Sequence, residues 1–309
     1  MEKTALIIGG TGFIGNALCT QLLSQGIKTH VIARHADNLP QNKNLYTHKA
    51  SMENTALMAE CLSKCSHVFF TASDTIPGNS AKKPVLELKE NLKPALTFLD
   101  TMQQFPNCHL IFFSSGGTVY GNPKVPEITE NHALNPLSYH GAMKASMEVF
   151  MHAMSAQCGS HISILRPSNV YGPGQRYRTD FGIIRKLLEH ARQNKPIEIW
   201  GDGEAIRDYL FIDDCITATL SLMNSKTEGF NRFNVGARIG HSINYICDTV
   251  DRITGKTLQR LYHPARTIDA EKIILDSSKL HRETGWSPMV SLETGIQKTW
   301  EWLLKNPDK

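Results

Sequence analysis

The stretch Ala5-Leu6-Ile7-Ile8-Gly9-Gly10-Thr11-Gly12-Phe13-Ile14-Gly15 decides the fold. Its apolar start reads as a buried strand. It runs directly into glycines spaced Gly9-x-x-Gly12-x-x-Gly15, and Ile14, Leu18 and Leu22 then recur at helical spacing. Strand, glycine loop and helix in that order make a phosphate cradle. Gly9 permits the tight turn, Gly12 lets a pyrophosphate approach the backbone, and Gly15 lets helix and strand touch. The unpaired N–H groups of the helix start then face the phosphates. A plain glycine turn is the alternative, and the agreement of all three segments favours a dinucleotide site.

Working outward, short apolar strands are expected at 4–8, 29–33, 45–49, 67–71, 109–114 and 161–166, with helices at 55–64 and about 86–104 between them. Nearly continuous apolar strands separated by helices predict a parallel sheet covered on both faces. Beyond Pro167 the rhythm loosens. A helix is expected over 180–193, a strand at 196–200, a helix capped by Asp213 or Asp214 and running to 223, and a strand at 232–235. Ser242 caps another helix, and the last carries Ile296, Trp300 and Leu303 one turn apart. The expected architecture is α/β: a Rossmann-type doubly wound parallel sheet over 1–166, then a smaller mixed α/β lobe over 167–309 that takes the substrate and returns segments to the sheet.

Composition narrows the class. With 309 residues, 41% hydrophobic and 20% charged, the chain suits a soluble globular protein. Its net charge of +4 suits an anionic ligand, but no basic tail or stripe predicts nucleic-acid binding. Apolar runs are strand-length, so no membrane span is expected. The N-terminus reaches Gly9 too soon for a secretory signal, and the scattered cysteines at 19, 61, 65, 108, 158, 215 and 247 read as reduced, both pointing to a cytoplasmic protein. Cys61 and Cys65 lie one helical turn apart with no second pair, so no metal site is expected.

Four further tracts carry chemistry: Ser114-Ser115-Gly116-Gly117-Thr118-Val119-Tyr120-Gly121, Ser138-Tyr139-His140-Gly141-Ala142-Met143-Lys144, Leu165-Arg166-Pro167-Ser168-Asn169-Val170-Tyr171-Gly172, and Trp200-Gly201-Asp202-Gly203 with Arg207-Asp208-Tyr209. Arg266 and Asp269 follow, before Gly285-Trp286-Ser287-Pro288. With the glycine loop, these resemble the extended short-chain dehydrogenase/reductase family, the NAD-dependent nucleotide-sugar epimerases and dehydratases, and within it a UDP-glucose 4-epimerase-like subgroup of polysaccharide loci. The resemblance runs from Ala5 to about Trp302. It implies a tyrosine and a lysine one helical turn apart, working with a Ser or Thr at the end of the fifth strand. The tyrosine would exchange a proton with the sugar while hydride moves to or from the nicotinamide, and the lysine would hold the nicotinamide ribose and lower the tyrosine pKa.

Two of those positions differ. His140 stands in the tyrosine position, four residues before Lys144, with Tyr139 one residue early. Gly116 stands where the hydroxyl belongs, leaving Ser115 and Thr118 as nearby donors. An imidazole exchanges protons near pH 7, although a neighbouring lysine opposes its becoming cationic. His140 is therefore open to three explanations: a natural loss, an altered mechanism or an engineered inactivation. Weak or absent turnover, increased by restoring tyrosine, is the expectation.

For the cofactor, Ala33 occupies the usual carboxylate position at the end of the second strand, followed by Arg34. That combination leans to the 2′-phosphate of NADP. Asp37 bending back to the ribose, and the habit of the family's epimerases, keep NAD open. The resemblance implies further cofactor contacts at Thr11, Phe13, Ile14, Thr71, Ala72, Ser73, Asn91, Lys144 and Pro167. It implies a UDP-linked sugar held by Ser115, Asn169, Arg207, Tyr209, Arg266 and Asp269, with the two arginines on the diphosphate. The expected activity is 4-epimerisation of a UDP-hexose or UDP-N-acetylhexosamine. A catalytically impaired homologue that still binds both ligands, and a reductase or dehydratase, are the alternatives. A homodimer is also implied, through the helix bearing Lys144 and the one before it. The stretch with Met147, Val149, Phe150, Met151 and Met154 is apolar enough to pack in such a contact.

Overall fold

Strands β1 (Thr4–Ile8), β2 (Lys28–Ala33), β3 (Leu45–Lys49), β4 (His67–Phe70), β5 (His109–Phe113) and β6 (Ile162–Pro167) run parallel, in a computed structural model that describes residues 3–35, 39–75, 81–179, 181–265 and 270–307. The C-terminal half contributes β7 (Asn169–Tyr171), β8 (Ile197–Trp200), β9 (Ile206–Phe211), β10 (Phe230–Val235), β11 (Gly240–Ser242), β12 (Arg260–His263) and β13 (Lys272–Ile273). The main sheet has the order β10-β6-β5-β4-β1-β2-β3, so β10 returns from the second half to extend it beside β6. The chain winds outward from β1 to β3, then crosses back to place β4 on the other side of β1. That reversal opens a crevice at the carboxyl ends of β1 and β4, where open α/β sheets bind ligands.

Strand periodicity explains the two covered faces. Leu6 and Ile8 of β1 face one core, with Met58 and Leu62 of α2 (Thr55–Leu62), Phe98 of α4 (Lys93–Met102), and Met147 and Met151 of α6 (Tyr139–Cys158). Ala5 and Ile7 face the other core, with Leu18 and Leu22 of α1 (Phe13–Ser24) and Ile216 of α8 (Ile212–Met223). The sheet is thus doubly wound, as expected. Beyond it, β9 collects β7, β11 and β13, while β8 pairs with β12. Helices α7 (Ile183–Gln193), α9 (Ile243–Thr254) and α11 (Leu292–Lys305) pack together around them, and α10 (Ser278–Thr284) lies against β10.

Three local features differ from expectation. The helix predicted from 86 starts at Pro84 as α3 (Pro84–Glu87) and widens into a π turn at Leu88–Leu92 before α4. Pro94 supplies no N–H to the i−4 ladder, and the ladder slips in the turn just before it. Asp213 and Asp214 do not cap α8, whose N-cap Phe211 makes no side-chain bond. Asp214 instead accepts the backbone N–H groups of Met289 and Val290 at 3.0 and 2.9 Å, tying the C-terminal segment to α8. Of the apolar residues on α6, Met147, Met151 and Met154 are buried against the sheet, whereas Val149 and Phe150 face outward.

Helix α6 is locked in position by a buried ion pair. Arg166 at the end of β6 donates through Nε to Glu148 Oε1 at 3.0 Å and through Nη1 to Tyr120 Oη at 2.7 Å. Both Arg166 and Glu148 are 1% exposed, so removing either would strand a buried charge. Ser138 caps the helix start by accepting from Gly141 N at 3.1 Å. Gly141 has no room for a side chain, since a Cβ there would lie 2.6 Å from Thr118 O. The head of α6 therefore meets α5 (Gly116–Val119) backbone to backbone.

Candidate active site

The glycine loop adopts the cradle form. Gly9 sits at φ +89°, and a Cβ there would lie 2.7 Å from Ala72 Cα. At Gly15 a Cβ would be 2.3 Å from Gly9 O and 2.7 Å from Thr71 Oγ1. Thr71 is engaged from the other side, donating to Ile8 O and Gly9 O at 3.0 and 3.2 Å as alternatives. Gly12 caps α1 with no side-chain bond, so the first-turn N–H groups are left to a ligand. Thr11, Phe13 and Ile14 are half-buried along its rim, Ser73 is exposed, and Pro167 is buried at the end of β6. A loop this tight to neighbouring backbone, with an open helix start, fits a dinucleotide pyrophosphate.

Arg34 forms an ion pair with Asp74, which follows β4 across the crevice mouth. The guanidinium that the sequence offers to a 2′-phosphate thus already has a carboxylate. Asp37 lies outside the described residues.

At the head of α6, Tyr139 is 46% exposed whereas His140 is 7% exposed, so the imidazole and not the phenol enters the protein. Lys144, one turn on and also buried, donates to Phe113 O at 2.8 Å, at the carboxyl end of β5. Burial pulls its pKa down to about 8. Burial likewise lowers the His140 pKa, opposed by the Glu87 carboxylate, which accepts from the ring, and reinforced by the Lys144 charge. His140 Nδ1 lies 3.3 Å from Thr75 Oγ1 and 3.7 Å from Glu87 Oε1. Thr75 donates to Glu87 Oε1 at 2.7 Å, and Asn91 Nδ2 donates to Glu87 Oε2 at 2.9 Å and to Thr75 Oγ1 at 2.8 Å. Asn91 Oδ1 accepts from Asp74 N at 2.9 Å. Asn91, expected at the cofactor, is thus turned into this cluster, where it braces the loop after β4.

The fifth-strand tract shows why glycine stands at 116. A Cβ there would lie 2.4 Å from Leu275 Cδ1 and 2.9 Å from Arg166 O, so the hydroxyl position is filled by Leu275. At Gly117 the nearest atom is Asn169 Oδ1 at 3.8 Å, leaving that side open. Ser115 caps α5 without a side-chain bond and is half-buried, and Thr118 Oγ1 reaches Ser115 O at only 3.5 Å.

On the sugar side, Asn169 is exposed and donates to Asp208 O at 2.9 Å. Arg207 is half-buried on β9, with Nη1 on Ile206 O at 2.9 Å. Tyr209, expected at the substrate, is 5% exposed and packed in the core, because β9 is buried on both faces from Asp208 to Phe211. Arg266 and Asp269 lie outside the described residues. Asp208 is fully buried and accepts from the backbone N–H groups of Ala237, Arg238 and Leu275 at 2.9, 3.2 and 3.2 Å. Burial still raises its pKa to about 6, those bonds opposing the rise. It anchors the segment that carries Leu275 against Gly116.

The residues that sequence reading passed over are Thr75, Glu87, Leu275 and Asp208. For Glu87 a signal existed: 87, 91, 95, 98 and 102 form one buried stripe, and two of the five are polar. Polar residues on a buried helical stripe must find partners. Elsewhere, His30 Nδ1, His48 Nε2 and Cys61 Sγ lie within 4.8 Å of one another. The two imidazole planes are nearly parallel, 6° apart, and His30 Nδ1 and His48 Nε2 are hydrogen-bonded at 3.0 Å. All seven cysteines are free, and among the described residues no helix is long and apolar enough to cross a membrane.

Comparison with known proteins places these features in one lineage. The profile of the NAD dependent epimerase/dehydratase family matches residues 5–236. A UDP-glucose 4-epimerase from Thermotoga maritima, solved with UDP-glucose, superposes with a TM-score of 0.92 at 30% identity, covering 99% of this chain and 100% of its own. The Thermus thermophilus UDP-glucose 4-epimerase in complex with NAD gives 0.89 at 27% identity, covering 98% and 99%. A dTDP-4-dehydro-6-deoxyglucose reductase from Escherichia coli is 30% identical over 96% of each chain.

Proposed function

This chain belongs to the NAD-dependent epimerase/dehydratase family, and on that premise we propose that it interconverts UDP-linked hexoses or N-acetylhexosamines at C4, with His140 as the proton carrier. The observation that carries this reading is the burial of His140 and Lys144 one turn apart on α6, at the carboxyl ends of β4 and β5. NAD is the cofactor we infer, because Arg34 is held by Asp74. Held over the loop of Gly9, Gly12 and Gly15, the dinucleotide would supply reversible hydride exchange at C4. His140 Nε2 takes the proton of the 4-hydroxyl as the ketone forms, and gives it back as the alcohol re-forms. Lys144 holds the nicotinamide ribose, and its positive charge lowers the basicity of the imidazole, which the Glu87 carboxylate offsets. Arg207 and Arg266 grip the diphosphate.

Restoring a phenol would replace the ring whose Nδ1 meets Thr75 Oγ1 with one that has no nitrogen there, leaving the Thr75–Glu87 pair without that partner. The proposal therefore departs from the expectation that tyrosine raises turnover. The outward Val149 and Phe150, with Val85 and Leu88 also exposed, support a homodimer that buries these helices; a monomer mass by light scattering would exclude it.

The test is incubation with UDP-glucose, UDP-N-acetylglucosamine and their 4-epimers, with NAD or NADP, reading interconversion. Turnover is expected with NAD and should fall by roughly 10²-fold or more in His140→Phe. Interconversion that survives that change rejects His140 as the carrier. The 30% identical reductase favours one second reading, reduction of a dTDP-4-keto sugar. Stoichiometric loss of NADH with such a sugar, and no epimerisation, would select it.

A further inference from the structure

We propose that Glu87, acting through Thr75, is a positioning residue that holds His140 as the Nδ1–H tautomer and so leaves Nε2 as a ready base. This rests on the reading of His140 as proton carrier, but its evidence is a count of protons within the cluster. Both Glu87 oxygens receive donors, Oε1 from Thr75 Oγ1 at 2.7 Å and Oε2 from Asn91 Nδ2 at 2.9 Å, as an ionised carboxylate requires. A threonine hydroxyl has one proton, and that proton is committed to Glu87. Asn91 Nδ2 also points at Thr75 Oγ1 from 2.8 Å, so one lone pair of the hydroxyl oxygen is taken. What remains is a single acceptor site, and His140 Nδ1 faces it at 3.3 Å. The imidazole satisfies it only by donating, so Nδ1 bears the proton and Nε2 does not.

Charge supplies the second half. The charged groups facing His140 are Glu87 from α3 and Lys144 from its own helix. Asp74, on the loop after β4, is paired with Arg34, and Tyr139 faces outward. When Nε2 takes the sugar proton, the O–H bond breaks, an Nε2–H bond forms and the ring becomes cationic beside Lys144. Glu87, 3.7 Å from Nδ1 and 4% exposed, offsets that charge where water cannot.

The experiment follows the ring nitrogens of His140 by NMR in 15N-histidine-labelled protein, with and without NAD, beside steady-state kinetics. Wild type should show a protonated Nδ1. In Glu87→Gln the amide can donate to Thr75, freeing its hydroxyl proton for Nδ1. The tautomer should then switch to Nε2–H, the titration midpoint should fall by about one pH unit, and kcat should drop roughly 10²-fold with KM little changed. Thr75→Ser should keep the wild-type tautomer, while Thr75→Val should lose it and serves if Glu87→Gln does not fold. An unchanged tautomer and midpoint in Glu87→Gln, or in Thr75→Val, overturns the proposal. The NMR readout needs no turnover. A tautomer switch in a protein that converts no sugar therefore supports the role of Glu87 while rejecting the epimerase reading. An active enzyme whose tautomer ignores Glu87 does the reverse.

Discussion

The glycine loop and the head of α6 sit side by side at the same end of the sheet, yet they are specified in opposite ways. The loop is built from backbone. What matters there is the absence of side chains at Gly9 and Gly15, and every atom that would collide with a Cβ belongs to the loop itself, to Thr71 or to Ala72. The head of α6 is built from side chains gathered from distant segments: Thr75 after β4, Glu87 before the π turn, Leu275 after β13. A site made of backbone tolerates no substitution, whereas a site made of side chains can be altered if its neighbours alter with it. His140 and Gly116 look like losses in isolation, and in the fold each has a matching neighbour.

The largest effect that could break this contrast is at the loop. Gly15→Val should cost about 3 kcal/mol or more in stability and abolish dinucleotide binding, because the new side chain meets backbone that cannot move. Calorimetric titration showing intact NAD affinity would contradict the cradle. Next, Gly116→Ser should destabilise by about 1–3 kcal/mol, since Leu275 and Arg166 O occupy the space, and Leu275→Ala should recover much of that loss. Gly117→Ser should stay within about 0.5 kcal/mol. Denaturant melts of the four proteins decide it, and equal behaviour of the two serines would show that the space at 116 is not what selects glycine.

A smaller effect concerns Lys144. Its folded pKa, about 8, lies below that of a free lysine, so burying the charge costs stability in full below pH 8. The cost is relieved as pH rises from 8 towards the unfolded value, where the folded state has already lost its proton. Lys144→Met should therefore raise the melting temperature of the unliganded protein at pH 7, with the gain shrinking towards pH 10, while turnover falls. A gain independent of pH would remove charge burial as its cause. The smallest effect is at Arg34. The pair with Asp74 is exposed, so Arg34→Ala should change stability by less than about 1 kcal/mol and leave NAD affinity nearly constant. A selective loss of NADP affinity would show that the guanidinium serves a 2′-phosphate after all.

What was legible follows the same division. The parallel sheet and its strands could be read because an apolar run bounded by glycine or polar residues constrains its own conformation. The cap at Ser242 is likewise local, accepting an N–H three residues along. Asp214 was misread as a cap because a carboxylate at a helix start suits that role locally, and only the arrival of Met289 and Val290 gives it another partner. Tyr209 and Asn91 read as ligand residues from their motif positions, and the fold buries Tyr209 in the core and turns the Asn91 amide to Glu87. Position in a motif says which strand or helix carries a residue, not which way a twisted sheet or a π turn aims it.

By itself, the sequence determined the doubly wound sheet, the glycine cradle and the pairing of residues 140 and 144 on one helical turn, because these depend on spacings of a few residues. Only the tertiary structure decided that residue 116 has no space for a hydroxyl and that a buried carboxylate faces His140. Those outcomes depend on volume and on charged and polar groups brought together across about 160 residues in the first case and about 50 in the second. No local pattern encodes such encounters, because packing density and the need to satisfy every buried polar group act on whatever the fold brings into contact.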